Sequence, residues 1–312
     1  IINTAIISAS KTLDQQFIDG IITHLSGKET RKSAIDALFF YNDPIIKILT
    51  DYIKNESIDL EDAVYAVNVI EKFASQKAVN ALIKLTQNTE HSVKIEAIES
   101  LKRLKWKHSH LYIKDRFIID QILDECNLYQ TTLSAIHSQI VLQYRKKEKV
   151  QESQDENEAR IELIHLLEKR LDRQLQRIFR FLGIKYPPHD VDPILNTILY
   201  GKEEQRIHAI EFLDNILDKQ LKKELIPVTE SILLADTTEE KFKRLNLKVI
   251  SEAECYQILL QRKDLKLKLA VLYLMEQSNN SQFNSLLEMV LQNEANEKVR
   301  LKADKILKQI KP

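Results

Sequence analysis

The sequence predicts an all-α chain folded as a solenoid of stacked antiparallel helix hairpins, and three observations carry that reading. A short segment recurs in which a small residue sits between apolar neighbours at helical spacing, just after a polar turn: TRKSAIDAL around Ala34, SVKIEAIESL around Ala97, QRIHAIEFL around Ala209 and KVRLKADKIL around Ala303. Ala34 and Ala97 are 63 residues apart and Ala209 and Ala303 are 94 apart, close to two and three units of roughly 31 residues, a period typical of stacked repeats. The chain breakers are scarce, with 4 Gly and 6 Pro in 312 residues, while helix formers abound. Alternating strand patterns are nearly absent. The small residue has a physical purpose, because two helices approach closely only where one side chain is short.

The elements follow in order. A short apolar stretch, IINTAIISAS, opens the chain at Ile1 and reads as the continuation of something longer. Residues 14–25 and 29–40 form the first expected hairpin, with Gly27 at its turn. Pro44 starts the next helix, where its missing donor is harmless, and 60–74 completes that pair. Residues 77–85 and 92–104 form the clearest hairpin, turning at Asn88 and Thr89. From 113 to about 144 the helices lengthen and the repeat loosens.

Between Arg145 and Arg160 apolar residues nearly vanish, so the expectation is a flexible charged loop or a frayed solvated helix. This divides the chain into an N-terminal half, 1–144, a charged loop, 145–158, and a C-terminal half, 159–312, of one continuous solenoid. Ile164, Leu167, Leu171, Leu175, Ile178 and Leu182 mark a long helix, which Gly183 is expected to stop before a rigid Tyr186-Pro187-Pro188 turn. Hairpins resume over 193–199, 203–217 and 221–234 and continue to Ile310. Within LKLKLAVLYL the small residue is displaced, with Leu269 where other copies carry Ala.

Equal numbers of basic and acidic residues, 46 each, argue against a dedicated nucleic-acid binder, which needs a basic excess. Cys126 and Cys255 lie far apart in apolar contexts and read as buried reduced thiols. No CxxC or Cys-His cluster indicates zinc. No run of about 20 apolar residues could span a bilayer. With four glycines there is no GxGxxG, GxxxxGK[ST] or GxSxG, so no cofactor and no catalysis are expected.

The strongest charge anomaly is KRLKWKHSHLYIKDR. Lys102, Arg103, Lys105, Lys107, Lys114 and Arg116 surround the single tryptophan, Trp106, near His108 and His110. Such a patch could dock an acidic protein partner, a phosphate-rich ligand or an anionic membrane surface. The same residues also suit a helix C-terminus, where the dipole favours cations and Trp covers a seam between repeats. His108-x-His110 lacks a third ligand and reads as surface histidine. Glu211 and Asp214 lie three apart on one helix and could face a groove, but Asp214-Asn215 fits capping or inter-helix hydrogen bonds.

The V-[K/R]-x-x-A openings at Val93–Ala97 and Val299–Ala303 resemble short HEAT repeats over most of the chain, although Glu90, Glu203 or Asn293 stands where that family commonly has Asp. From Leu171 to Glu230 the chain also resembles the HEAT-repeat region that follows the membrane domain in bacterial ADP/ATP-translocase-like transporters of the major-facilitator type. The points of similarity are Ile178-Phe179-Arg180 to Gly183, Tyr186 to Pro188, and Ala209, Glu211, Leu213-Asp214-Asn215 and Leu217. This resemblance implies a non-catalytic interaction or regulatory module on the cytoplasmic side of an inner membrane, with a protein partner or an attached transmembrane domain and no nucleic acid. The alternatives from other classes are a HEAT-like DNA glycosylase, whose groove would be basic, and a bilin-lyase-like HEAT protein.

Overall fold

A computed structural model describes residues 1–55, 59–88, 90–148, 153–233, 247 and 250–310, with only the backbone at 147, 148 and 233. The described residues are helical apart from their connections, with no strand among them. The chain forms two compact units: Ile1–Gln121 with Phe179–Pro193, and Ile122–Ile178 with Ile194–Pro312.

The first unit opens with α1 (Ile2–Lys11), a 3₁₀ turn (Gln15–Phe17), α2 (Ile18–Ile22) and α3 (Arg31–Phe39). The expected helix over 14–25 is thus a turn followed by a five-residue helix. It continues with α4 (Pro44–Ile53), α5 (Leu60–Lys72), α6 (Gln76–Leu85) and α7 (His91–Lys107). Local signals set the starts. Pro44 occupies the first turn of α4, Asp59 accepts from the Glu61 and Asp62 amides, and Ser75 accepts from the Ala78 amide, each satisfying donors that a helix start leaves open. Helices α3, α5 and α7 pack in one row, α4 packs on α6, and the rows meet through α4–α5, α5–α6 and α6–α7. Ala34 and Ala97 are fully buried in that packing, as close helix approach requires. Polar pairs follow the α3–α5–α7 row: Lys72 reaches Asp36 at 2.5 Å and Arg103 reaches Glu71 at 2.6 Å.

Helices α8 (Asp115–Glu148) and α9 (Gln154–Lys185) lie in the second unit from Ile122 and up to Ile178, where four pairs cross-link them antiparallel: Glu125–Arg177, Thr132–Gln174, Gln139–Arg160 and Gln143–Asn157. After α10 (Pro188–Tyr200), α11 (Glu203–Ile216) packs on α12 (Lys219–Leu233). Then come α13 (Glu252–Leu260), α14 (Leu265–Ser278), a 3₁₀ turn (Ser281–Phe283), α15 (Asn284–Asn293) and α16 (Glu297–Ile310). Here the same contact order returns: α13 on α15, α14 on α16, and each hairpin on itself. One core joins Ala135 of α8 and Leu163 and Leu167 of α9 to Tyr256, Leu272, Phe283 and Ala303.

Several sequence expectations need correction. The charged segment 145–158 is helical at both flanks, because α8 runs to Glu148 and α9 begins at Gln154; residues 149–152 lie outside the described residues, as do Thr89 and Leu234. At the segment's acidic end Asp155 and Glu158 are exposed, as a solvated helix would have them, but Glu156 is not. Glu156 is buried and Arg160 is 0% exposed, joined at 2.9 Å, so ion pairing replaces the apolar burial that the segment lacks. Ala209 is only half-buried; in α11 the buried positions are Ile210 and Leu213, one step round the helix from the expected row. Leu269 is half-buried as well, beside the buried Leu267, Val271 and Leu272. Gly183 does not stop α9, which continues to Lys185.

Candidate functional site

The basic cluster predicted around Trp106 lies in the first unit, at the C-terminal end of α7 and in the connection that follows it. The helix carries Val93, Ala97, Ile98, Leu101 and Leu104 into the core, which places Arg103 beside α5. Its guanidinium clasps both oxygens of Glu71, with Nε–Oε1 at 2.8 Å and Nη2–Oε2 at 2.6 Å, and donates to Glu96 at 2.6 Å. Ser100 completes the arrangement by donating to Glu71 at 2.8 Å. The hydrogen bonds to Glu71 hold the Arg103 proton more tightly than usual, reinforced by Glu96 and opposed by partial burial.

The other cations divide in two. Lys102 is mostly covered and reaches Glu99 at 3.0 Å and Asp192 at 3.4 Å. Arg116 pairs with Asp120 one turn on, at 2.9 Å. Lys105, Lys107 and Lys114 make no side-chain hydrogen bond or ion pair among the described residues; Lys107 and Lys114 are exposed and Lys105 half-buried. Lys102 and Arg103 are therefore committed to carboxylates of the unit, Arg116 is paired but exposed, and the other three make no ion pair among the described residues. Tyr112 is exposed in the same connection, its backbone held to the Gln76 side chain at 2.9 and 3.0 Å.

Trp106 is 46% exposed, yet its polar atom is engaged. The indole Nε1 donates to the Gly183 carbonyl at 2.7 Å. Within an α-helix that carbonyl would accept from the amide four residues on, and residue 187 is proline, which has none. Trp106 thus satisfies an acceptor that the backbone cannot. The approach is close there: a Cβ at 183 would fall 2.8 Å from the Cδ of Lys102, so that side chain would have to shift. Arg180 with Glu99 at 3.0 Å and Phe117 with Phe181, ring centroids 6.4 Å apart, tie the same stretch of α9 into the first unit.

The remaining candidates separate from this patch. The His108 and His110 rings meet edge to face at 5.8 Å, and no cluster of three or more metal-ligating side chains occurs among the described residues. Glu211 faces the His208 ring at 3.3 Å and Asp214 binds Lys222 of α12 at 3.0 Å, so the two carboxylates have separate partners and Asp214 makes the inter-helix bond expected of it. Cys126 and Cys255 are buried free thiols, both pushed up to about 12 chiefly by desolvation. An open hollow of about 550 Å³ beside Tyr200 and His208 is lined by no carboxylate, lysine or arginine.

Two features escaped the sequence reading. The Gly183 to Pro187 spacing signals an unclaimed helical carbonyl, but only the fold names its donor. Glu156 and Arg160 are spaced for a helical ion pair, but nothing in sequence brings Gln139 and Glu252 to Arg160, at 2.5 and 3.2 Å.

Among the described residues no helix is long and apolar enough to cross a membrane. No protein-family model matches the chain, and no curated protein does. Among solved structures, the chain is similar to a crystal structure of an engineered protein at 15% identity, covering 94% of this chain and 96% of that one, with a TM-score of 0.18.

Proposed function

We propose that the chain is a non-catalytic HEAT-like α-solenoid that serves as an interaction or regulatory module, attached to a bacterial ADP/ATP-translocase-like transporter on its cytoplasmic side. The observation that carries the architecture is the contact order repeated within each unit: second helices pack in a row, α3–α5–α7 and α14–α16, and first helices in another, α4–α6 and α13–α15. A stacked repeat gains stability and an extended binding surface from hairpins that pack on their neighbours in this way. The transporter link rests on the resemblance over residues 171–230.

Attachment to the partner falls to Lys105, Lys107 and Lys114 with the exposed flank of Trp106, because Lys102, Arg103 and Arg116 are held by carboxylates of their own unit. Immunoblotting of fractionated source cells tests the reading. A band far above 36.4 kDa that stays in carbonate-washed membranes supports it, and a soluble band at the mass of this chain overturns it. With the K105E/K107E/K114E variant, unchanged circular dichroism and lost attachment support the assigned surface, whereas retained attachment removes it.

A further inference from the structure

The second unit carries two exposed, partly apolar helix faces of opposite charge. On α14, Leu265, Leu269 and Tyr273 recur at steps of four, which aligns them on one side of the helix. Leu265 and Tyr273 are exposed and Leu269 is half-buried, while Leu267, Val271 and Leu274 enter the core. Helix α16 adjoins this stripe: Lys302 lies over the Tyr273 ring at 5.8 Å, and Lys305 reaches Glu276 at 3.4 Å. Leu301, the residue before Lys302, is 62% exposed. Lys266 and Lys298 stand in the first turns of α14 and α16. Both are exposed and make no side-chain hydrogen bond or ion pair among the described residues. A helix N-terminus disfavours a cation, so neither charge serves its own helix. Helix α11 presents the converse. Ile207 is exposed and lies four residues after Glu203, three after Glu204 and four before Glu211, so three carboxylates share its side of the helix. All three are exposed. Glu211 has the His208 ring at 3.3 Å, and Glu203 and Glu204 have no side-chain partner among the described residues. Phe212, next to Glu211, is exposed as well, while Ile210 and Leu213 hold the other side in the core.

We propose that the acidic Ile207 side of α11 in one copy of this chain packs on the basic α14–α16 face of a second copy. The occupant is a second copy because the same unit supplies the complement in both apolar character and sign of charge. Leucine, isoleucine and aromatic side chains leaving water supply the affinity, and carboxylates set against lysines supply the orientation and reject a like-charged face. The chain's net charge of zero puts no long-range repulsion between copies. The inference is independent of the module reading above, since it needs neither a solenoid nor a transporter.

Sedimentation velocity of the whole chain at rising concentration tests the contact. The expected result is reversible self-association that weakens as sodium chloride is raised. K266E/K298E and E203K/E204K, each with unchanged circular dichroism, are expected to stay monomeric alone. Mixed in equal amounts they are expected to associate again, because the intact acidic face of the first meets the intact basic face of the second. If a charge variant does not fold, L301S and F212S remove an exposed apolar side chain from each face and are expected to weaken self-association tenfold or more. A wild-type chain that stays monomeric throughout overturns the proposal and leaves the α14–α16 face to an acidic partner of another kind. Self-association that persists unchanged in the folded variants overturns it too.

Discussion

The indole N–H of Trp106 and the backbone carbonyl of Gly183 form a 2.7 Å hydrogen bond across 77 residues of chain; that carbonyl lies in the last turn of α9, and Pro187 offers it no amide. A residue that looks like part of a docking patch is thus also a structural tie, holding the end of α9 against α7. Its remaining exposed flank is what a partner could still use.

Removing the donor tests this relationship. W106F is expected to cost about 1 kcal/mol in urea denaturation. In a P187A background the new amide can serve Gly183, so the same substitution should cost measurably less. An equal cost in both backgrounds would show that the indole N–H has no structural share.

Arg160 offers a second test, because it is fully buried and answers two acidic residues, Glu156 at 2.9 Å and Glu252 at 3.2 Å. R160M leaves Lys146, 2.5 Å from Glu156 and 3.7 Å from Glu252, to answer both carboxylates, and is expected to cost about 3 kcal/mol. Adding E156Q and E252Q should restore part of that loss, since it removes the acidic charge that Arg160 no longer balances. Thermal melts of the single and triple variants check the difference.

The thiols should be silent in the folded protein. Cys126 and Cys255 are buried and carried up to about 12, so at pH 8 only about one thiol in ten thousand is ionised. Ellman's reagent is expected to find no thiol in the native chain and two in urea. Rapid native labelling of either would contradict the burial.

Glu276 ties α14 to α16 through Lys302 and Lys305. Burial acts to raise its proton affinity, but the two lysines outweigh it and leave its pKa below the ordinary value of 4.5. The folded pKa lies below the unfolded one, so the stabilisation is present above about pH 4.5 and fades as pH falls through the folded value. E276Q should be less stable by about 1 kcal/mol at neutral pH. The gap should close in acid, and a gap constant with pH would refute the ion-pair account.

Much of the helical framework was legible because helix formation depends on local spacing. The polar turns, the apolar steps and the alanines at 34, 97 and 303 mark helices whose small residues are buried. The basic patch was only half legible. All six cations were visible in sequence, but Glu71 lies 32 residues before Arg103 and Asp192 lies 90 after Lys102, so which of them remained unpaired was not.

Composition and periodicity by themselves determined that this protein is all-helical and that its cysteines are buried, because both follow from local propensity and from the exclusion of apolar stretches from water. Only the tertiary structure decided that Trp106 serves the Gly183 carbonyl, that Glu156 is buried against Arg160, and that Glu71 rather than a neighbour in sequence takes Arg103. Those outcomes depend on which distant side chain arrives to complete a hydrogen bond or neutralise a charge. Local spacing carries no information about that partner, and the fold alone supplies it.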